Sequence, residues 1–424
     1  MKRRKIQKAL AAVMMLVAVL SFGACRLIPD ASSDAAVSVV LKPSIPAQTD
    51  GAVPTDAAEP TASPTESEAP AATEETEAPA ELPPVPTYLN PLTGTLVDVD
   101  PSGLRPIAVV VDNASGALAH QSGLSGADVL YETLTAPGIT RFLAIYSDYR
   151  SMPTVCNVRA GRVYDVIAAK NFNAVLFAHG GLSSPDEKYD FYSEIAAIYG
   201  SENAYIDTSK DPAWAAKNAD VLGTTVYYGD DYRTDLKYDT VVTKAAIDYS
   251  LINSGFAAAG YAIGGDASNP FKLSDTAPDG DGAAGVTLSF TATGVNSSLV
   301  KNVTFRYGAE TGTYLRFEDS RPHVDAASGK QLEFTNVVVL LTDVSYIAGE
   351  SDVDPLTTDV AVYGSGSGCY FCRGKYVPLV WVNTAETGLK LYTSAGELAL
   401  MRRNTYVGYV SRANPAAVKI TSGK

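Results

Sequence analysis

Three arginines in the first half of the chain could together bind an anion. Arg159 and Arg162 lie three positions apart at the start of a predicted helix, so their side chains can point the same way. Arg141 comes directly before a predicted strand. Guanidinium groups beside the amides of a helix N-terminus favour a carboxylate or a phosphate. The alternative is a structural role, in which these arginines pair with Glu132 and Asp128.

Polar side chains also close two of the predicted strands. Asp112 and Asn113 end the first strand, and His179 ends the third. In open α/β sheets, ligands bind beyond the carboxyl ends of the strands. We therefore expect one polar pocket lined by Asp112, Asn113, Glu132, Arg141, Arg159, Arg162 and His179. The alternatives are that Asp112 only caps a turn and that His179 is a hydrogen-bonded structural residue.

The same residues also allow a hydrolase that acts on cell-envelope material. His179 would be the general base, oriented by Asp112 or Glu132, and the amides of Gly180 and Gly181 would stabilise an oxyanion. The nearest serine hydroxyls have no activating neighbour in the sequence. The leading hypothesis is therefore a binding or scaffold protein, and the hydrolase is the second.

Two cysteines, Cys369 and Cys372, have the spacing of a redox pair or of half a zinc site. No second pair exists, and the chain has only three histidines. The flanking residues predict a strand, in which positions three apart are separated by about 10 Å, too far for a disulfide. We assign no metal and no cofactor. The glycine-rich run 364–368 is predicted to be a turn between strands.

The N-terminus predicts export. Five basic residues within positions 2–8 precede an apolar run over 9–22, which is the pattern of a secretory signal peptide. The run is shorter than the roughly 20 residues of a membrane-spanning helix, although an uncleaved anchor is the alternative. Phe22-Gly23-Ala24-Cys25 resembles the bacterial lipobox, which implies cleavage after residue 24 and lipid on Cys25. We therefore predict a protein held by palmitate-type chains on the extracytoplasmic face of the cell membrane.

The charge of the chain is unevenly distributed. Residues 1–26 carry six basic and no acidic groups, whereas the whole chain has a net charge of −14. Residues 30–87 have no aromatic residue and ten prolines, so they cannot bury enough apolar surface to fold. We predict a disordered acidic stalk over 25–87, with a tail that binds a basic partner as the alternative. An acidic folded part argues against nucleic acid as a partner.

The elements that position the candidate residues predict an α+β protein. Runs 106–111, 142–146 and 174–178 predict buried strands, and 162–171, 191–199, 213–219 and 243–254 predict helices. They form a mixed α/β domain over 88–263, followed by an acidic linker loop over 264–285. Short alternating runs then predict a mainly antiparallel β domain over 286–412. Residues 413–424 are predicted to be a tail.

An ordered series of motifs runs through both predicted domains. In the first domain it includes Asn90-Pro91-Leu92-Thr93-Gly94, Asp112-Asn113, Ile139-Thr140-Arg141-Phe142 and His179-Gly180-Gly181. In the second it includes Tyr314-Leu315-Arg316 and Pro322-His323-Val324-Asp325. This series resembles the YerB-like bacterial lipoproteins, a two-domain family of unknown function. The resemblance covers nearly all of residues 89–412 and implies a lipoprotein without a known reaction. The family's Gly-Lys-Thr-Trp ending is replaced here by Arg402-Arg403-Asn404-Thr405-Tyr406.

Overall fold

The computed structural model of the protein describes residues 87–201, 205–208, 241–242, 264–293, 299–348 and 356–422. The predicted signal peptide, the predicted lipidation site Cys25 and almost all of the predicted stalk lie outside these residues. So do the predicted helices at 213–219 and 243–254. The described part is mainly β, with two α-helices, α1 (Val163–Asn171) and α2 (Phe191–Tyr199).

The strands are numbered in chain order. The first nine are β1 (Tyr88–Leu89), β2 (Leu96–Val97), β3 (Ile107–Asn113), β4 (Val129–Ala136), β5 (Ile139–Tyr146), β6 (Val155–Cys156), β7 (Val175–Ala178), β8 (Ile206–Asp207) and β9 (Val241–Val242). The next nine are β10 (Lys272–Ser274), β11 (Asp281–Gly282), β12 (Gly285–Phe290), β13 (Lys301–Gly308), β14 (Thr313–Glu318), β15 (Arg321–Pro322), β16 (Glu333–Phe334), β17 (Asn336–Thr342) and β18 (Val344–Ala348). The last eight are β19 (Leu356–Val360), β20 (Gly364–Cys372), β21 (Lys375–Thr384), β22 (Gly388–Thr393), β23 (Gly396–Glu397), β24 (Ala399–Met401), β25 (Thr405–Ser411) and β26 (Val418–Thr421).

One large mixed sheet includes strands from both halves of the chain. Its order is β23-β22-β21-β20-β17-β25-β4-β5-β3-β7-β8, and β11 pairs with β21. The halves join where β25 pairs in parallel with β17 on one side and with β4 on the other. The two sequence domains therefore share one sheet.

The central strands are buried on both faces. Every residue of β3, β4, β17 and β25 is buried, which explains their continuous apolar runs. A second sheet, of order β15-β14-β13-β12-β26 with β16 beside β14, packs against one face through rings such as Phe305 on Tyr406, whose centroids are 4.6 Å apart. Helix α1 contacts β5 and β7 and so covers part of the other face.

The sequence predicted part of this architecture. Strands β3, β5 and β7 and helices α1 and α2 confirm five of the predicted elements. The expected mixed α/β character of the first domain is only weakly developed, because β3 and β4 both pair antiparallel with β5. Strand β4 itself is not among the predicted strands. The predicted linker contains β10 and β11, which pair with β24 and β21.

Two local predictions were wrong. The glycine-rich run 364–368 is not a turn but the first half of β20. A side chain at Gly366 or Gly368 would put its Cβ 2.4 or 2.3 Å from a backbone carbonyl oxygen of β17, so glycine is required by close packing. The predicted tail contains β26, which pairs antiparallel with β12. Both errors arose because packing, not local propensity, determines these segments.

Candidate functional site

Strand alternation divides the predicted pocket between two faces of the large sheet. Asp112 lies opposite Arg141 and Asn113 lies opposite Thr140 in the β3–β5 pairing. Directly opposed residues share a face, and successive residues point to opposite faces. Asn113 and Glu132 hydrogen-bond side chains of the face covered by the second sheet, whereas Asp112 and Arg141 lie on the face covered by α1. The seven predicted residues are therefore not gathered in one pocket.

On the α1 face, the predicted arginines bind a carboxylate or backbone carbonyl groups of the protein itself. Arg159 pairs with Asp112, with 3.1 Å between Nε and Oδ2. A terminal guanidinium nitrogen of Arg141 donates to the Ala160 carbonyl at 2.5 Å, and one of Arg162 donates to the Gly161 carbonyl at 3.1 Å. The Arg159 side chain keeps 22% of its surface exposed, whereas Arg162 is buried.

A buried carboxyl group lies beside these arginines. Asp165 accepts a hydrogen bond from the Arg162 amide at 2.8 Å, at the start of α1. Burial raises the pKa of Asp165 to about 7, although that hydrogen bond and the guanidinium groups of Arg141 and Arg162 act in the opposite direction. Asp165 therefore titrates near neutral pH.

The groups that the hydrolase hypothesis needs are engaged in internal hydrogen bonds. Nδ1 of His179 lies 3.3 Å from the Thr208 hydroxyl. The Gly180 amide donates to Oδ1 of Asp207 at 3.0 Å, and the Gly181 amide donates to the Tyr192 hydroxyl at 3.2 Å. An oxyanion could bind these amides only by displacing both acceptors.

The opposite face holds a buried ionic network centred on Arg316 of β14. Arg316 is fully buried and donates to both carboxylate oxygens of Glu132, at 3.0 and 2.9 Å. Glu132 also accepts hydrogen bonds from Asn113 at 3.0 Å, Thr140 at 2.7 Å and the Tyr406 hydroxyl at 2.7 Å. A buried charge is tolerated when it is paired and fully hydrogen-bonded, as Glu132 is here.

A second carboxylate extends this network toward the surface. Glu318 is paired with Lys301 through one oxygen and lies 3.4 Å from Arg316 through the other. Lys301 also donates to the Asn113 carbonyl at 2.8 Å. Lys301, Arg316, Glu132 and Glu318 thus form a closed set of two cations and two carboxylates, which ties β13 and β14 to the large sheet.

His323 completes the network in a defined tautomer. Its Nδ1 accepts a hydrogen bond from Arg316, and its Nε2 lies 2.5 Å from the Gln121 side-chain oxygen. Because an arginine can only donate, Nδ1 carries no proton and Nε2–H donates to Gln121. Burial, reinforced by the charges of Arg316 and Lys301, holds the pKa of His323 well below its usual range. His323 is therefore neutral, and both ring nitrogens are occupied.

An open cleft of about 330 Å³ lies above Glu318 and His323. Its wall is largely apolar, and Arg321 lies exposed at its rim. The residues that line it are Leu118, Ala119, Glu318, Arg321, Pro322, His323, Val324 and Ala326. We call this the His323 cleft. Such a volume is at the lower end of small-molecule sites.

Sequence reasoning missed the network residues Gln121, Lys301 and Glu318, and Arg316 and His323 entered only through the family resemblance. In β14 the buried positions are Tyr314, Arg316 and Glu318, whereas the apolar Leu315 and Phe317 are half-buried. Hydrophobic alternation in β14 would therefore predict that the face with Leu315 and Phe317 is the buried one. Two charged residues in phase with a buried tyrosine were the available signal. Among the described residues, no group of three or more His, Cys, Asp or Glu side chains is arranged to hold a metal ion.

The chain matches known proteins over both halves. Residues 92–219 match the N-terminal domain, and residues 294–407 the C-terminal domain, of a protein family of unknown function, DUF3048. The chain belongs to the YerB-like two-domain family. It is 27% identical over 296 residues to "Putative lipoprotein YerB" of Bacillus subtilis strain 168, a match that covers 69% of this chain and 77% of the relative.

The fold of this YerB-like protein is also seen in a solved structure. The crystal structure of YerB protein from Bacillus subtilis superposes with a TM-score of 0.59 at 22% identity, covering 79% of this chain and 99% of that one. At this identity the likeness concerns the fold alone. Within the described residues, no helix has both the length and the apolar character needed to cross a membrane.

Proposed function

We propose that this chain is a lipid-anchored extracytoplasmic binding protein whose His323 cleft takes an anionic envelope ligand. The anchor is lipid on Cys25, exposed by cleavage of a signal peptide over 1–24. The acidic stalk over 25–87 extends the folded part away from the membrane. Support for this location comes from the lipobox-like sequence and from the relative that carries the name lipoprotein.

One observation carries the binding role: the polar floor of the cleft is already satisfied from within. Both nitrogens of His323 and both oxygens of Glu318 have protein partners. A general base needs a lone pair that can take a proton, and His323 has none, because its Nδ1 accepts from Arg316 and its Nε2 carries a proton. Side chains fixed in this way keep the same shape and charge when a ligand binds, so little ordering is needed on binding.

The charge around the cleft favours an anion. Lys301 and Arg316 are balanced by Glu132 and Glu318, and Arg321 is the exposed cation at the rim. In the described part of the chain, Arg321 is in no ion pair. The wall beside it is formed by Leu118, Pro322 and Val324. The matching ligand is a short peptide with small apolar side chains and a carboxylate that reaches Arg321.

The binding test uses a dipeptide of this chemistry. Titration of the protein with N-acetyl-D-alanyl-D-alanine, followed by NMR or calorimetry, should show saturable binding, and the C-terminal amide of the same dipeptide should bind at least tenfold more weakly. Arg321→Glu should abolish binding. The control Lys170→Glu reverses an exposed charge on α1, which covers the other face of the sheet, and should have no effect.

Two outcomes would overturn this assignment. If Arg159→Glu/Arg162→Glu abolishes binding while Arg321→Glu leaves it intact, the anion site is on the α1 face. Turnover of envelope fragments that is lost in His179→Ala, with the fold retained, would favour the hydrolase. The anchor is tested separately: metabolic labelling with palmitate should mark the protein, and Cys25→Ala should release it from the membrane.

A further inference from the structure

We propose that a second cleft, beside the loop 325–330, is a site for a saccharide that carries a carboxylate. The cleft has a volume of about 320 Å³, and all of its lining side chains are polar. They include the hydroxyls of Thr93, Thr95 and Thr313 and the charged groups of Lys330, Glu333 and Arg403. We call it the Arg403 cleft.

The composition of the Arg403 cleft suits a ligand rich in hydroxyl groups. Sugar hydroxyls both donate and accept hydrogen bonds, so they need hydroxyl, amide and charged side chains together in one wall. Some of these side chains are already oriented by neighbours. Thr313 donates to Glu333 Oε2 at 2.6 Å, and Asn404 donates to the Glu333 carbonyl at 2.7 Å. The wall is thus preorganised without being apolar.

The distribution of ion pairs points to an anionic group on that ligand. The carboxylate of Asp128 accepts hydrogen bonds from Asn90 at 2.9 Å and from the Ser147 amide at 2.7 Å. Within the described residues, neither Lys330 nor Arg403 forms an ion pair, whereas the adjacent Arg402 pairs with Asp275 at 2.9 Å. Oε2 of Glu333 accepts a hydrogen bond from Thr313, and within the described residues the two cations of the cleft are in no ion pair.

Backbone strain singles out Arg403. Its φ is 135°, in the region that favours glycine, and its amide donates to the Thr93 carbonyl at 2.9 Å. A side chain held in such a conformation is destabilising and tends to occur at functional sites. A glycine there would satisfy the same backbone hydrogen bond without strain. An arginine at this position is best explained by a contact that its guanidinium makes with a ligand.

The two clefts lie on either side of one loop. Asp325, at the start of the loop, accepts a hydrogen bond from the Ser125 amide at 3.0 Å. Ala326 lines the His323 cleft, and Lys330 lines the Arg403 cleft. The Arg403 cleft is nevertheless distinct from the peptide site, because no residue lines both clefts.

The experiment compares two disaccharides that differ in a carboxylate. The probes are N-acetylglucosaminyl-N-acetylmuramic acid and its neutral counterpart N,N′-diacetylchitobiose, called chitobiose below, titrated by NMR or calorimetry. The carboxylated disaccharide should bind roughly tenfold or more tightly, as expected for charge-assisted hydrogen bonds. Lys330→Gln should weaken its binding, and Arg321→Glu should leave it unchanged, which separates this site from the peptide site.

Arg403→Gly gives the decisive result, because it is expected to raise Tm and to remove the preference for the carboxylate. The control is Arg373→Gly, another exposed arginine with positive φ, at 52°, outside the cleft. It should not change binding. The proposal is overturned if the carboxylated disaccharide does not bind saturably, if chitobiose binds equally well, or if Arg403→Gly binds like the original protein.

Discussion

Replacing Arg316 by methionine should remove the charge at the centre of the buried network and destabilise the protein strongly. Arg316 and Glu132 are both fully buried, and their two hydrogen bonds measure 2.9 and 3.0 Å. Removing one partner of a buried ion pair leaves the other charge uncompensated, at a cost of about 3–5 kcal/mol. We expect Arg316→Met to lower the free energy of unfolding by about 4 kcal/mol, a large part of the roughly 5–15 kcal/mol typical of a domain.

The assay is urea unfolding followed by circular dichroism, with the double variant Glu132→Gln/Arg316→Met included. Because the two residues contact each other, the double variant should lose less than the sum of the single losses, by at least about 1 kcal/mol. Arg412→Met is the control. It removes an arginine from the surface pair with Asp343, whose side chains are 51% and 62% exposed, and should cost no more than about 1 kcal/mol.

A loss of less than about 1 kcal/mol in Arg316→Met would refute a buried, uncompensated Glu132 charge, since such a loss is typical of a solvated pair. Strictly additive single losses would also refute it. In that case Glu132 and Arg316 would act independently, and the network could not be what joins the two sheets.

Three further predictions concern pH and packing. The unfolded chain takes up a proton on His323 near the ordinary pKa of 6.5, whereas the folded protein does not. This group therefore lowers the free energy of unfolding as the pH falls below about 6.5. In unfolding curves measured from pH 7.5 to 5, His323→Gln should lose that pH dependence, and an unchanged slope would contradict the prediction. Asp165 acts in the opposite direction, because its carboxyl group keeps its proton in the folded protein between pH 3.8 and about 7. The free energy of unfolding should therefore fall by up to about 1.4 kcal/mol per pH unit as the pH rises through that window. Asp165→Asn should flatten the plot of stability against pH over the same window. A Cβ at Gly181 would lie 2.0 Å from the Phe191 ring, so Gly181→Ala should lower the free energy of unfolding by roughly 1–3 kcal/mol. Gly264→Ala, where nothing lies within 4 Å, should be nearly neutral, and equal losses in the two variants would show that the ring moves aside freely.

Sequence patterns predict the elements whose burial depends on residues close together in the chain. The apolar runs of β3 and β7 and the 3.6-residue spacing of α1 depend on neighbours close in sequence, so they could be recognised. The position of β25 between β17 and β4 depends on partners far away in sequence, and nothing in residues 405–411 specifies them. The glycines of β20 were mistaken for a turn because the carbonyls that exclude a side chain belong to β17.

The candidate site shows the same division. The sequence indicates Asn113 as a polar residue at a strand end and Glu132 as a possible partner of an arginine or of His179. Both belong to the buried network beneath the His323 cleft. Their partner Arg316 comes from the other half of the chain, and hydrophobic alternation in β14 would have turned it to the surface. Asp112 and Asn113 were assigned to one pocket although adjacent residues of a strand point to opposite faces.

The central place of β25 has a consequence for the order of events when the protein is made. Residues 405–411 follow every other strand of the large sheet in the chain, yet without them β4 and β17 would each present an unpaired edge in the middle of that sheet. The native sheet therefore cannot close until this last strand has been synthesised.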